Sequence, residues 1–80
     1  MTLTIKYFGL LAEMTGTNEE IVTLAGEEYE LEALKERCIS KYELSDIKKS
    51  IQTAVNQSLV SSGPLKHGDE VAFLPPFAGG

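Results

Sequence analysis

Eighty residues with a formal net charge of −5, 42% of them hydrophobic and 24% charged, make one small globular domain with room for one sheet and one helix laid against it. The acidic balance argues against nucleic acid, which needs a basic face, and against an anionic membrane surface. No apolar run approaches the roughly 20 residues that span a bilayer, and the start Met1-Thr2-Leu3-Thr4-Ile5-Lys6 lacks a signal-like pattern, so the chain reads as cytoplasmic.

Thr2 to Phe8 alternates: Leu3, Ile5 and Tyr7 fall on one face, and Thr2, Thr4 and Lys6 on the other. This is a half-buried strand in which Phe8 lands on the polar side. Leu10 to Met14 reads as a helical turn closed at Gly16. Asn18 to Leu24, rich in Ile, Val and Thr, is a weaker strand expected to pair antiparallel with the first. After Ala25-Gly26-Glu27-Glu28 breaks the pattern, Leu31, Leu34, Cys38, Ile39 and Tyr42 recur at steps of three and four. That spacing predicts the core face of an amphipathic helix. Glu27, Glu28, Glu30 and Glu32 crowd its start while Lys35, Arg37 and Lys41 follow, as the helix dipole favours. Its cap is weak, because no Ser, Thr, Asp or Asn directly precedes the periodic run.

Ser45 to Ile51 reads as a further helical turn, and Thr53-Ala54-Val55, Asn56-Gln57, Ser58-Leu59-Val60 as two short strands around a tight polar turn. Ser61 to Pro64 reads as a loop and Lys66-His67-Gly68-Asp69 as a polar turn. Glu70 to Leu74 is the last strand, with Val71 and Phe73 on one face and Ala72 and Leu74 on the other. Strand, strand, helix and further strands make an α+β chain, a mixed sheet packed on one main helix: the β-grasp or ubiquitin-like arrangement. Residues 1–74 form that domain, and residues 75–80 a flexible extended tail.

Side-chain chemistry is scarce. Cys38 is the only cysteine, which excludes an internal disulfide, a four-cysteine zinc site and a Cys-x-x-Cys pair. His67 is the only histidine. Cys38 lies on the apolar helix stripe and His67 in a turn, so both read as structural. Beyond a single formal Cys38–His67 pair, no nucleophile–base pair or metal set can be assembled with any specificity, which disfavours a free-standing enzyme.

The tail is Pro75-Pro76-Phe77-Ala78-Gly79-Gly80. The prolines cannot donate to a ladder and hold the chain extended. Phe77 offers an apolar anchor, and Gly79 and Gly80 let the backbone enter a narrow slot. A terminal carboxylate is ionised at neutral pH and is a poor electrophile. It reacts once activated, as in an acyl-adenylate made from ATP, and sulfide captures such a group as a thiocarboxylate. A bare Gly-Gly arises by chance about once in 200 chains, so on its own it decides nothing.

Three stretches carry a resemblance: Ala54-Val55-Asn56-Gln57-Ser58-Leu59-Val60, Pro64-Leu65-Lys66-His67-Gly68-Asp69-Glu70-Val71-Ala72-Phe73-Leu74, and Pro75-Pro76-Phe77-Ala78-Gly79-Gly80. With Tyr7-Phe8-Gly9 and Glu13-Met14-Thr15-Gly16 before them, the chain resembles the MoaD-type small subunit of molybdopterin synthase over essentially its whole length. The resemblance implies a β-grasp sulfur carrier. A ubiquitin-activating-like enzyme, using ATP and magnesium, would adenylate Gly80, and a sulfur donor protein would then leave a thiocarboxylate there. The carrier itself would hold no cofactor stably. The tail, Pro75 to Gly79 included, would enter the MoaE-type large subunit of a heterotetramer, and sulfur would pass to cyclic pyranopterin monophosphate in molybdenum cofactor biosynthesis. The implied docking patch is Phe8, Leu59 and Leu74. One departure stands out: Ala12 precedes Glu13 where relatives often carry a basic residue. Other β-grasp carriers (thiamin synthesis, tRNA thiolation), ubiquitin-like modifiers and a plain interaction module remain open alternatives.

Overall fold

A computed structural model of the chain describes residues 1–75. In chain order the elements are β1 (Thr2–Tyr7), α1 (Leu10–Thr15), β2 (Glu19–Thr23), β3 (Tyr29–Glu30), α2 (Leu31–Lys41), a 3-10 helix (Ser45–Ser50), β4 (Gln52–Val55), β5 (Ser58–Leu59), β6 (Pro64–Leu65) and β7 (Glu70–Leu74). Five strands form one sheet in the order β2-β1-β7-β4-β5. β1 and β7 run parallel at its centre, with Ile5 opposite Val71, and the other neighbours are antiparallel. With α2 laid across one face, this is the β-grasp fold.

The alternation in the sequence decides which face is covered. Leu3, Ile5, Tyr7, Val71 and Phe73 point inward and pack with Leu31, Leu34, Cys38 and Ile39 of α2 in one core cluster. Leu11 of α1, Leu44 and Ile51 close its ends. α2 starts at Leu31, so Glu27 and Glu28 precede the helix instead of lying in its first turn. Glu30 stands at the N-cap with no side-chain cap bond, as the weak signal predicts; the Leu31 amide donates instead to the Gly63 carbonyl at 2.9 Å.

Two strands go beyond the sequence reading. β3 and β6 pair Tyr29 with Leu65 and Glu30 with Pro64, where the sequence reading assigns no strand. Two-residue strands hold no period to detect, and Pro64, lacking an N–H, fits a ladder only at its margin.

At the outer edge of the sheet, Glu20 of β2 lies opposite Ile5 and so faces the helix side. Its carboxylate accepts from Tyr7 (2.7 Å), Tyr42 (2.6 Å) and Lys41 Nζ (3.1 Å). Burial pushes this carboxyl up, but the bonds from Tyr42, Tyr7 and Lys41 outweigh it and hold the carboxyl below its ordinary value. The network ties edge strand β2 to the C-terminal end of α2.

Candidate functional site

The site begins where β7 ends. Leu74 pairs with Gln52 and faces away from the helix, as does Ala72, which pairs with Ala54; Ala54 in turn pairs with Leu59. Leu59, Ala54, Ala72 and Leu74 therefore share the outer face of the sheet. Phe8 joins them: its amide donates to the Phe73 carbonyl at 3.2 Å, which carries the β1–β7 ladder one residue past Tyr7 and Phe73. Phe8 is 46% exposed and Leu59 68%, whereas Ala54 is only 6% exposed although it faces away from the core. The three residues of the implied docking patch thus share one surface, and the two alanines form its floor. Leu59, which a sequence reading could equally place in the core, is an outward residue.

Pro75 is the last described residue. A Cβ on Gly9 would stand 3.1 Å from Pro75 Cγ, and Gly9 has φ +54°, a conformation L side chains rarely adopt. A glycine there lets the chain turn from β1 into α1 while Pro75 lies against it. The expectations for Pro76, Phe77, Ala78, Gly79 and Gly80 lie outside the described residues.

Sequence reasoning missed part of the apolar surface. Leu10 and Met14 of α1 are exposed, as are Val60 after β5 and Ile21 of β2. The spacing of Leu10 and Met14, four apart around buried Leu11, is the helical signal that could have found them. Ile21 pairs with Thr4 on the same outer face, but on the edge strand at the far side of the sheet. A shallow groove of about 290 Å³ flanks Leu59, lined by Ile51, Gln52, Thr53, Val60, Ser61 and Lys35. The Lys35 ammonium donates to the Ile51 carbonyl at 3.0 Å.

The titratable residues offer no catalytic set. Cys38 is buried, its Sγ 3.4 Å from the Tyr7 hydroxyl oxygen; burial pushes its thiol up, away from the reactive thiolate. His67 is exposed on its turn, its Nδ1 accepting from the Thr2 amide at 2.9 Å. Ala12 is partly buried and packs against the core. Among the described residues no group of three or more His, Cys, Asp or Glu could hold a metal ion. Nor is any helix among them long and apolar enough to cross a membrane. What remains is a surface suited to docking, next to the segment that leaves the sheet.

A model of the ThiS family matches residues 5–80. A human relative named molybdopterin synthase sulfur carrier subunit is 35% identical over 80 residues, spanning 95% of this chain and 91% of that protein. Among solved structures, the putative molybdopterin converting factor subunit 1 of Pyrococcus furiosus superposes with a TM-score of 0.81 at 25% identity, covering 96% of this chain and 99% of its own. The complex of subunits 1 and 2 of the molybdopterin-converting factor from Helicobacter pylori contains a chain of the same fold, with a TM-score of 0.71, 24% identity and full coverage of both chains.

Proposed function

The chain belongs to the ThiS family, and from that premise we propose that it is the sulfur-carrying small subunit of a molybdopterin synthase, with the Gly80 carboxyl as its reactive group. The carboxylate is activated by an adenylating enzyme that uses ATP and magnesium: a mixed anhydride with AMP forms and pyrophosphate leaves. A sulfide equivalent from a donor protein attacks the acyl carbon and AMP leaves, giving the thiocarboxylate. Inside a MoaE-type large subunit its sulfur attacks a carbon of cyclic pyranopterin monophosphate; a carbon–oxygen bond at that carbon breaks, and the oxygen leaves with the bonding pair and takes up a proton. Water then cleaves the acyl–sulfur bond, returning the Gly80 carboxylate and leaving sulfur on the product. Two such transfers supply the dithiolene pair. Gly79 keeps the backbone slim enough for both active sites, and Pro75, Pro76, Phe77 and Ala78 link the carboxyl to the domain.

The observation that carries this reading is the apolar patch of exposed Phe8 and Leu59 with half-buried Leu74, at the end of the sheet from which residues 75–80 follow. An apolar surface of this kind marks a partner site, and the scarcity of reactive side chains among the described residues supports a reading in which that partner does the catalysis. The human relative's name and the Helicobacter pylori pair support a synthase assembly with a second subunit.

Intact-mass analysis after incubation with the activating enzyme, ATP and a sulfur donor tests the reading. A mass gain matching replacement of one oxygen by sulfur, mapped to Gly80, is expected. A chain that supports pterin sulfuration while carrying no such change, or after its C-terminus has been permanently extended, overturns it.

A further inference from the structure

Leu59 is the most exposed of the three patch residues, and it sits on the shortest strand of the five-stranded sheet. β5 has two residues, lies at the sheet margin, and is paired on one side only, with β4. Left to itself, such a hairpin would sample many orientations, and a partner docking on Leu59 would have to order it.

The hairpin is held at both ends. At its open end the Val60 amide donates to the Thr53 carbonyl at 3.1 Å, and the Thr53 hydroxyl donates to the Val60 carbonyl. At the turn, Asn56 and Gln57 have φ of 50° and 72°, the left-handed pair that a two-residue hairpin requires. Asn56 then reaches out of its hairpin. Its Nδ2 donates to Asp69 Oδ1 at 3.0 Å, its Oδ1 accepts from the Glu70 amide at 3.0 Å, and its own amide donates to the Glu70 carbonyl at 2.8 Å. Asp69 is fixed in turn, its Oδ2 accepting from the Lys66 amide at 2.8 Å. The turn that aims Leu59 is therefore fastened to the start of β7, the strand whose other end carries Leu74.

We infer that Asn56 and Asp69 are positioning residues for partner docking: their side-chain clasp fixes the β4–β5 hairpin relative to β7, so that Leu59 and Leu74 meet the partner as one preassembled surface. This deepens the carrier reading and rests on it. It also gives a physical job to two of the motif pieces, Val55-Asn56-Gln57 and Gly68-Asp69-Glu70-Val71, neither of which takes part in the tail chemistry. The clasp is exposed to solvent, where hydrogen bonds contribute little to global stability. Its effect belongs in the affinity.

The test measures binding of the MoaE-type large subunit to the full-length chain, alongside thermal unfolding. Asn56→Gly keeps the positive φ and removes the clasp; binding should weaken about three- to tenfold, the cost of ordering a few groups on association. Asn56→Asp puts two carboxylates face to face and should bind at least as poorly. The double swap Asn56→Asp with Asp69→Asn restores every donor and acceptor: the new carboxylate accepts from the Glu70 amide and from the new side-chain amide, whose oxygen still accepts from Lys66. It should recover affinity to within about twofold. Ile39→Val, a core trim on α2, controls for plain destabilisation and should bind like wild type. If Asn56→Gly binds like wild type, if Ile39→Val weakens binding as much as it does, or if the folded double swap stays weak, the inference fails. Should the wild type itself not bind the large subunit, the carrier reading falls, and this inference with it.

Discussion

Glu20 gathers three donors, the hydroxyls of Tyr7 and Tyr42 and the Lys41 ammonium, onto one carboxylate. A sequence scan sees only one more acidic residue in a polar-looking strand. The register reveals its orientation, because Glu20 lies opposite the fully buried Ile5. Its carboxyl is held below the ordinary glutamate value of about 4.3 despite burial. The sign of the linkage follows. The network's contribution is complete above that ordinary value and is lost as pH falls through the lower folded one. Thermal or urea unfolding should thus show stability dropping on the acid side of about pH 4.3. Glu20→Gln should cost about 1–2 kcal/mol at neutral pH and flatten that acid dependence. An unchanged acid slope in the variant would mean that another carboxylate governs it.

At the scale of elements, α2 was legible because its apolar stripe spans three turns, while its ends were not. The helix closes on Glu43, which has φ +54°, with the Leu44 amide bonded to the Ile39 carbonyl at 2.9 Å and Leu44 buried behind it. This is the geometry of a Schellman stop, a place usually taken by glycine. The sequence carries no such punctuation there, so nothing in it announced the boundary. Glu43 is exposed, and among the described residues its side chain makes no hydrogen bond or ion pair that would recompense the left-handed backbone. Glu43→Gly should therefore raise stability by about 0.5–1 kcal/mol, the relief of the Cβ penalty less the added freedom of the unfolded chain. Chemical denaturation would register this as a higher midpoint at unchanged slope. β3 and β6 escaped for a different reason: two residues each, they exist through their pairing and carry no local pattern of their own.

Across the whole molecule, strand alternation made the inner and outer faces readable, which is why Phe8 stood out as a misfit and Leu74 fell on the face opposite Val71 and Phe73. The assembled patch was not readable, because it depends on strand order. Ala54 and Ala72 become neighbours only once β4 lies beside β7, and Leu59 joins them through the hairpin register. Ile21 supplies an internal comparison. It matches Leu59 in being 68% exposed and in facing outward, yet it sits on β2 at the opposite margin of the sheet. If exposure of an apolar side chain alone drove association, Leu59→Lys and Ile21→Lys would be equivalent. If the surface beside β7 is the docking site, only Leu59→Lys should weaken large-subunit binding, by about tenfold or more, as for a central anchor. Both variants should unfold within about 0.5 kcal/mol of the wild type, since neither side chain belongs to the core. Titration calorimetry with the large subunit separates the two cases, and equal losses from both variants would move the docking surface off the β7 side of the sheet.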